Sequence, residues 1–403
     1  MAVACRVKPV FLSIVVAAIA TAQGGPTLSR VEAYRRVRAL AALGRKMFFD
    51  RALSGSGKLS CASCHDPAFA YGPPNADAVQ AGGKDMRRWG RRAVPSLKYL
   101  QAVPQFTEHY FDSDTTGDDS VDGGPTGGLT WDGRMDRSRD QARVPLLSRD
   151  EMANDNPAQV VAQVWQSSYA SEFKRLYNGS NIDAAFETIL EAFEAWQQNY
   201  TEFYPYTSKY DAWLDGKAVL SDVEQRGLHL FSDPEKGACA RCHIATRGAN
   251  GTPPQFTDYA LVALGVPRNR EIPANADANW YDLGLCGPER TDFRSRSEYC
   301  GRFMTPTLRN VAVRGAFFHN GVFHSLQEVL EFYSKRDTEP DRWYPRTDGG
   351  TIIKFDDLPR AYHGNVETGP PFGRSRGGKP ALTDTEIQAI IAFLRTLTDG
   401  YRQ

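Results

Sequence analysis

Two copies of the pentapeptide C-x-x-C-H, Cys61 to His65 and Cys239 to His243, constrain this chain more than any other feature. In such a motif the two thiols add to the vinyl groups of a haem, and the adjacent imidazole is carried to the iron. With seven Cys and seven His in 403 residues, a shuffled chain would hold about 0.002 such motifs, so the pair is not accidental. The competing reading is a structural zinc site or a redox dithiol. Zinc needs further thiolate or imidazole ligands, and neither half offers a second paired C-x-x-C. The motifs therefore predict two covalently bound haem c groups, one held by Cys61, Cys64 and His65 and the other by Cys239, Cys242 and His243.

The two halves share a layout. An amphipathic segment, Val31 to Phe49, leads through a polar loop into the first motif, and Ser221 to Phe231 leads likewise into the second. Each half also has a later stretch with apolar residues at the spacing of one buried helical face: Phe186, Ile189, Leu190, Phe193 and Trp196, then Ile387, Ile390, Ile391, Leu394 and Leu397. Thr383 and Glu386 stand in capping-box spacing before the second of these. Little strand patterning is present, and residues 112–128 and 248–258 are rich in Gly, Pro, Asp and Thr. The expected fold is mainly α, with two c-type cytochrome domains and long irregular loops. The halves divide near the Pro205 linker into residues 23–205 and 206–403.

Composition narrows the setting. Lys plus Arg and Asp plus Glu both number 48, and no long run of either sign suggests a nucleic-acid or lipid-surface partner. Arg6 and Lys8, the apolar run Pro9 to Ile19 and the small residues Ala20 to Ala22 predict a signal segment over residues 1–22. The apolar run is shorter than the roughly 20 residues that span a bilayer, so the mature protein is expected in the periplasm with no membrane contact. With Cys5 in the signal and four cysteines in the motifs, Cys286 and Cys300 remain, and an oxidising compartment lets them bridge. Closing a loop of about 15 residues would add around 3 kcal/mol.

What two haems do depends on the sixth position of each iron. After His65 the next imidazole is His109, followed by His229, His319, His324 and His363, so the loop just past the first motif holds none. Read from pattern alone, Tyr333 shares a helical face with Leu326, Val329 and Leu330 and is a core residue. Met304 is a rival ligand, and the remaining histidines read as structural. Trp131 reads as a core aromatic and Glu151 as a surface carboxylate.

The sequence resembles the bacterial di-haem cytochrome c peroxidase superfamily, and within it the MauG-like branch. The likeness is carried by SCASCHDP, TWDGR (Thr130 to Arg134), QARVPLLSRDEM (Gln141 to Met152), ACARCH, TPTLRNVAVRGAFFHNG (Thr305 to Gly321) and LQEVLEFY (Leu326 to Tyr333). RDTEPDRWYP, DDLP and FLRTLTDGY are similar to the MbnH group of that branch, which is encoded with a copper-binding partner. The resemblance implies that Tyr333 ligates the second iron where peroxidases carry methionine, and that Trp131 relays electrons or holes between the haems. It also implies that Gln141, Pro145 and Glu151 form the distal pocket over the first haem, Glu151 moving a proton between the peroxide oxygens and Pro145 crowding out a sixth ligand. The resemblance also implies a calcium site between the haems, and the chain departs from it: Tyr99 stands where the branch has a calcium-ligating asparagine, and Arg314 and Ala316 fall where backbone carbonyls would complete the site.

The expected activity is periplasmic oxidation, by hydrogen peroxide, of a tryptophan on a secreted protein substrate such as a small copper-binding protein, through a high-valent state shared by both haems. Peroxide scavenging with electrons from a small redox protein is the second reading, and non-catalytic electron transfer the third. Trp89, Trp165, Trp196, Trp213, Trp280 and Trp343 could each carry a hole to the surface, and the sequence does not choose among them.

Overall fold

Helix α1 (Arg30–Phe48) opens on a capping box in which Ser29 and Glu32 bond each other's backbone N–H, satisfying two amides that a first turn leaves unpaired. Arg45 and Lys46 in its last turn complement the helix dipole. Leu40, Leu43, Gly44, Met47 and Phe48 form its buried face. A computed structural model describes residues 29–111, 122–248 and 250–402. The expected signal segment, and residues 112–121 of the first expected loop, lie outside the described residues.

From α1 the chain passes through a single 3-10 turn, Arg51–Leu53, into α2 (Cys61–Cys64), the first motif. A two-residue hairpin follows, β1 (Ala81–Gly82) against β2 (Arg88–Trp89), then α3 (Ser138–Leu147), α4 (Pro157–Gln166), α5 (Ala170–Leu176), α6 (Ile182–Gln197) and α7 (Tyr200–Phe203). The second half runs through α8 (Lys209–Leu214), α9 (Asp222–Ser232) and a 3-10 turn, Cys239–Arg241, at the second motif. Beyond it β3 (Leu261–Val262) pairs antiparallel with β4 (Phe303–Met304), and α10 (Leu326–Lys335) and α11 (Asp384–Arg395) complete the order. The chain is mainly helical with long irregular connections, and its strands are two-residue pieces.

Buried apolar residues gather into two main clusters, one from Leu40 to Phe203 and one from Tyr210 to Leu397. Tyr204 to Thr207 lie between them. Each cluster is built on a crossing of two helices, α1 on α6 and α9 on α11. At both crossings a glycine lets backbones touch. A Cβ on Gly44 would lie 1.9 Å from the Ala192 carbonyl oxygen, and one on Gly227 would lie 2.0 Å from that of Ala389. Phe48 and Phe231, each four residues later, are buried on the same helical face. The shared layout of the two halves is thus a shared packing device.

A smaller cluster surrounds the Cys286–Cys300 disulfide, whose Cα atoms are 4.9 Å apart. The capping box at Thr383 and Glu386 forms as the spacing predicts. Leu397 lies past the end of α11 yet is fully buried, because the chain continues in a turn that returns its N–H to the Leu394 carbonyl.

Candidate functional site

The two C-x-x-C-H segments fold alike. In each, the histidine N–H returns to the carbonyl of the first cysteine, His65 to Cys61 at 2.9 Å and His243 to Cys239 at 2.8 Å. Each imidazole Nδ1 faces a backbone carbonyl, Tyr71 O at 3.0 Å and Phe256 O at 2.9 Å. Tyr71 and Phe256 both have positive φ, 56° and 54°. Burial lowers both histidines to about 4, against the pull of those carbonyls and of the Pro95 and Pro306 carbonyls. Each ring is therefore neutral and donates from Nδ1, which leaves the lone pair on Nε2, the form that binds metal.

The prolines open a second internal repeat, Pro95-Ser96-Leu97-Lys98-Tyr99 and Pro306-Thr307-Leu308-Arg309-Asn310. Tyr99 and Asn310 both adopt left-handed φ, 64° and 62°. Both reach one carboxylate: the Tyr99 hydroxyl donates to Asp399 Oδ1 at 2.6 Å, and Asn310 Nδ2 donates to Asp399 Oδ2 at 2.8 Å.

A cavity of about 510 Å³ runs between the halves, and its walls include every residue expected at the site: both cysteine pairs, His65, His243, Trp131, Gln141, Pro145, Glu151 and Tyr333. Gln141 and Pro145 are one turn apart on α3. Glu151 follows in a loop pinned on three sides: its N–H donates to Ser148 O, its carbonyl accepts from Gly83 N–H, and the next residue, Met152, bonds Pro145 O. Its side chain is open to the cavity, yet enough protein surrounds the carboxyl that burial raises its pKa above the usual range, against a Ser148 hydrogen bond and the Arg134 charge. The same carboxylate adds to the upward push that burial gives the Cys64 thiol, which reaches about 11. Glu151 thus faces the first motif, which the surface-carboxylate reading did not anticipate.

Trp131 is fixed from both sides. Its Nε1 donates to Ala93 O at 2.7 Å, and its carbonyl accepts from Met304 N–H at 2.8 Å. Beneath it, fully buried Asp132 accepts from Thr130, Arg92 and Arg134. Burial opposes the Asp132 charge, but the two guanidiniums outweigh it and hold the carboxyl below its usual range. Arg92 also grips Asp282 through two bonds of 2.6 and 2.8 Å. The sequence signalled Asp132 and Arg134 through TWDGR but gave no sign of Arg92 or Asp282.

Tyr333 sits on α10 with Leu326, Val329 and Leu330, all four lining the cavity. Its ring stacks on Phe372, centroids 5.4 Å apart, and leans on Phe318 at 5.9 Å. Burial pushes the phenol pKa up, Cys242 and Cys239 add to the rise, and Arg336 opposes it. No hydrogen bond joins the hydroxyl to any described residue. The side chain is half-buried and lines the cavity, so its oxygen is free to meet a metal there. Met304, the rival ligand, lines the same cavity from β4.

Of the remaining histidines, only His319 lines the cavity. His109 pairs with Asp122, His363 bonds Leu358 O, His324 faces Gly315 O, and His319 stacks on Phe303 with centroids 3.4 Å apart. Among the described residues, no group of three or more His, Cys, Asp or Glu side chains forms a metal cluster by itself. The donor set instead suits two planar cofactors in one cavity: a lone-pair nitrogen in each half, a thiol pair beside each, and apolar walls.

Comparison with known proteins agrees with this geometry. The profile of the family described as di-haem cytochrome c peroxidase matches residues 38–219. The methylamine utilization protein MauG of Paracoccus denitrificans is 32% identical over 381 residues, which are 90% of this chain and 89% of that protein. The chain belongs to the di-haem cytochrome c peroxidase/MauG family. It is an oxidoreductase with two haem cofactors, which sets aside the non-catalytic reading. Among solved structures, the diheme peroxidase BthA of Burkholderia thailandensis is 37% identical with a TM-score of 0.79, covering 89% of this chain and 86% of that one. A MauG-like protein associated with microbial copper homeostasis is 25% identical with a TM-score of 0.62, covering 90% and 89%.

Proposed function

We propose that this family member is an exported enzyme that uses hydrogen peroxide to oxidise a tryptophan on a partner protein, with haems attached covalently at Cys61/Cys64 and Cys239/Cys242 in two cytochrome domains. The observation that carries the reading is Tyr333: a phenol without a described hydrogen-bond partner, in the same cavity wall as Cys239, Cys242 and His243. A phenolate on iron favours the oxidised metal more than a thioether does. A haem so ligated suits storing an oxidising equivalent better than accepting electrons from a donor.

When bound, the haems supply peroxide activation at His65 and a second oxidising equivalent at His243. The protein supplies the rest. Glu151, its pKa raised by burial, takes a proton from peroxide at a carboxylate oxygen and returns it to the departing oxygen. Pro145 offers neither an N–H nor a coordinating atom, so it fills space without ligating. Gln141, one turn before it, orients the incoming peroxide through its carboxamide. Trp131, pinned at Nε1 and at its carbonyl, gives a fixed aromatic ring in the shared cavity through which charge passes between the halves.

The signal segment supports a periplasmic setting, and no described helix is long and apolar enough to cross a membrane. Likeness to the protein associated with copper homeostasis supports a small copper-binding partner. Mass spectrometry of such a partner, after incubation with holoprotein and peroxide, should find oxygen added at a single tryptophan. The second reading, peroxide scavenging, draws support from the higher identity to the diheme peroxidase BthA. Rapid peroxide turnover with reduced cytochrome c, and no modified tryptophan, would establish it instead.

A further inference from the structure

The junction between the halves contains an arginine, half-buried in the cavity wall, that hydrogen-bonds backbone on both sides. Arg314 reaches from the second half to the first: its Nη2 donates to Val94 O at 3.0 Å and to Ala316 O at 3.3 Å. The backbone closes tightly around it. A Cβ on Gly315 would lie 2.9 Å from Ala76 Cα, one on Gly321 would lie 2.7 Å from Ala78 Cα, and Ala93 N–H donates to His319 O at 2.7 Å.

Here the surroundings lack what a calcium ion would need. The side chain at position 99 is a phenol already committed to Asp399 at 2.6 Å, and the Ala316 carbonyl, an expected calcium ligand, already accepts from Arg314. Calcium takes six to eight oxygen ligands, and no described acidic cluster supplies them. The residues therefore do not fit the ion.

We infer that Arg314 takes the place that the family resemblance gives to a calcium ion between the haems, giving this junction a positive charge that is part of the chain. Arg314 also acts on the first site. It holds the carbonyl of Val94, the residue before Pro95, whose own carbonyl faces His65. It is a positioning residue for His65 rather than a catalytic one.

Two measurements test this. Elemental analysis of holoprotein incubated with calcium and then desalted should find substoichiometric calcium, and a chelator should leave the haem spectrum and melting temperature unchanged. Stoichiometric calcium, or a spectral change on chelation, overturns the inference. Redox titration is the second arm. A nearby positive charge favours the reduced haem, so Arg314→Gln should lower the midpoint of the His65 haem more than that of the His243 haem, Arg314→Lys should retain most of the wild-type value, and added calcium should not restore Arg314→Gln. Equal midpoints in wild type and Arg314→Gln, or rescue by calcium, also overturn it. The redox arm rests on the haem assignment at His65 and the calcium arm does not, so failure of one is distinguishable from failure of the other.

Discussion

Replacing Gly227 with alanine puts one methyl group where α9 crosses α11, 2.0 Å from the Ala389 carbonyl oxygen and 2.7 Å from its carbon. Real Cβ contacts essentially never fall under 3.0 Å, so the two backbones must part by about 1 Å. A gap of that size forfeits about a quarter to a half of the dispersion energy of each facing atom pair. The pairs concerned belong to Leu230, Phe231, Ile387, Ile390 and Phe393, all buried. Overpacking typically costs about 1–3 kcal/mol, and the obstacle here is backbone, which cannot rotate aside. The upper end, about 3 kcal/mol, is expected, and for a unit of roughly 200 residues that lowers the melting temperature by about 6–12 °C. Far-ultraviolet circular dichroism of the holoprotein would read the shift. Gly364→Ala is the control, because a Cβ there meets nothing within 4 Å and its φ is not positive. Gly44→Ala should behave like Gly227→Ala, since its Cβ would lie 1.9 Å from the Ala192 oxygen. If Gly227→Ala melts with the control, the reasoning about paired helix crossings is wrong.

Two further predictions concern acids in the cavity wall. Glu151→Gln keeps the shape but cannot carry the proton, so the reaction with peroxide, followed by stopped-flow absorbance, should slow by about 10²–10⁴-fold. Because burial raises the Glu151 pKa, the proton-accepting carboxylate is lost as pH falls through a value above the ordinary carboxylate range. The wild-type rate should therefore decline at a higher pH than an exposed glutamate would give, and the variant should show no such decline. Burial also raises Asp357, to about 7, against an Asn320 hydrogen bond and the Arg268 charge. Its protonated form is the one the fold favours, so its contribution to stability is full below the ordinary value of about 3.9 and is lost as pH rises through about 7. Melting temperature against pH should flatten across that window in Asp357→Asn, and an unchanged profile would refute the assignment.

Much of the site was legible because its residues sit at short, fixed spacings. The C-x-x-C-H pairs and the apolar face of α10 are local patterns that backbone geometry turns directly into cavity walls, whereas Gln141 and Pro145 were singled out only by the family resemblance. The helices before each motif, and the last helix down to its Thr383 cap, were legible for the same reason. What the sequence hid depends on residues far apart in the chain. Arg92 and Asp282 are 190 positions apart, and neither carries a local signal. Arg314 was visible only as a backbone carbonyl position, and that its side chain crosses to Val94, 220 residues earlier, is a property of the packed junction. Glu151 looked like a surface acid because sequence shows charge but not the cavity that the charge faces. Gly44 and Gly227 stood at matching places in the two halves, yet only the helix crossings show why each must lack a side chain.

The proposed function requires two unlike haem sites in one cavity, an open one at His65 and one at His243 capped by Tyr333. Electron paramagnetic resonance of the oxidised holoprotein, wild type beside Tyr333→Phe, tests it most directly. The account predicts one high-spin and one low-spin signal in the wild type, with only the low-spin signal altered in the variant. Two low-spin signals in the wild type, or identical spectra for the two proteins, would contradict it.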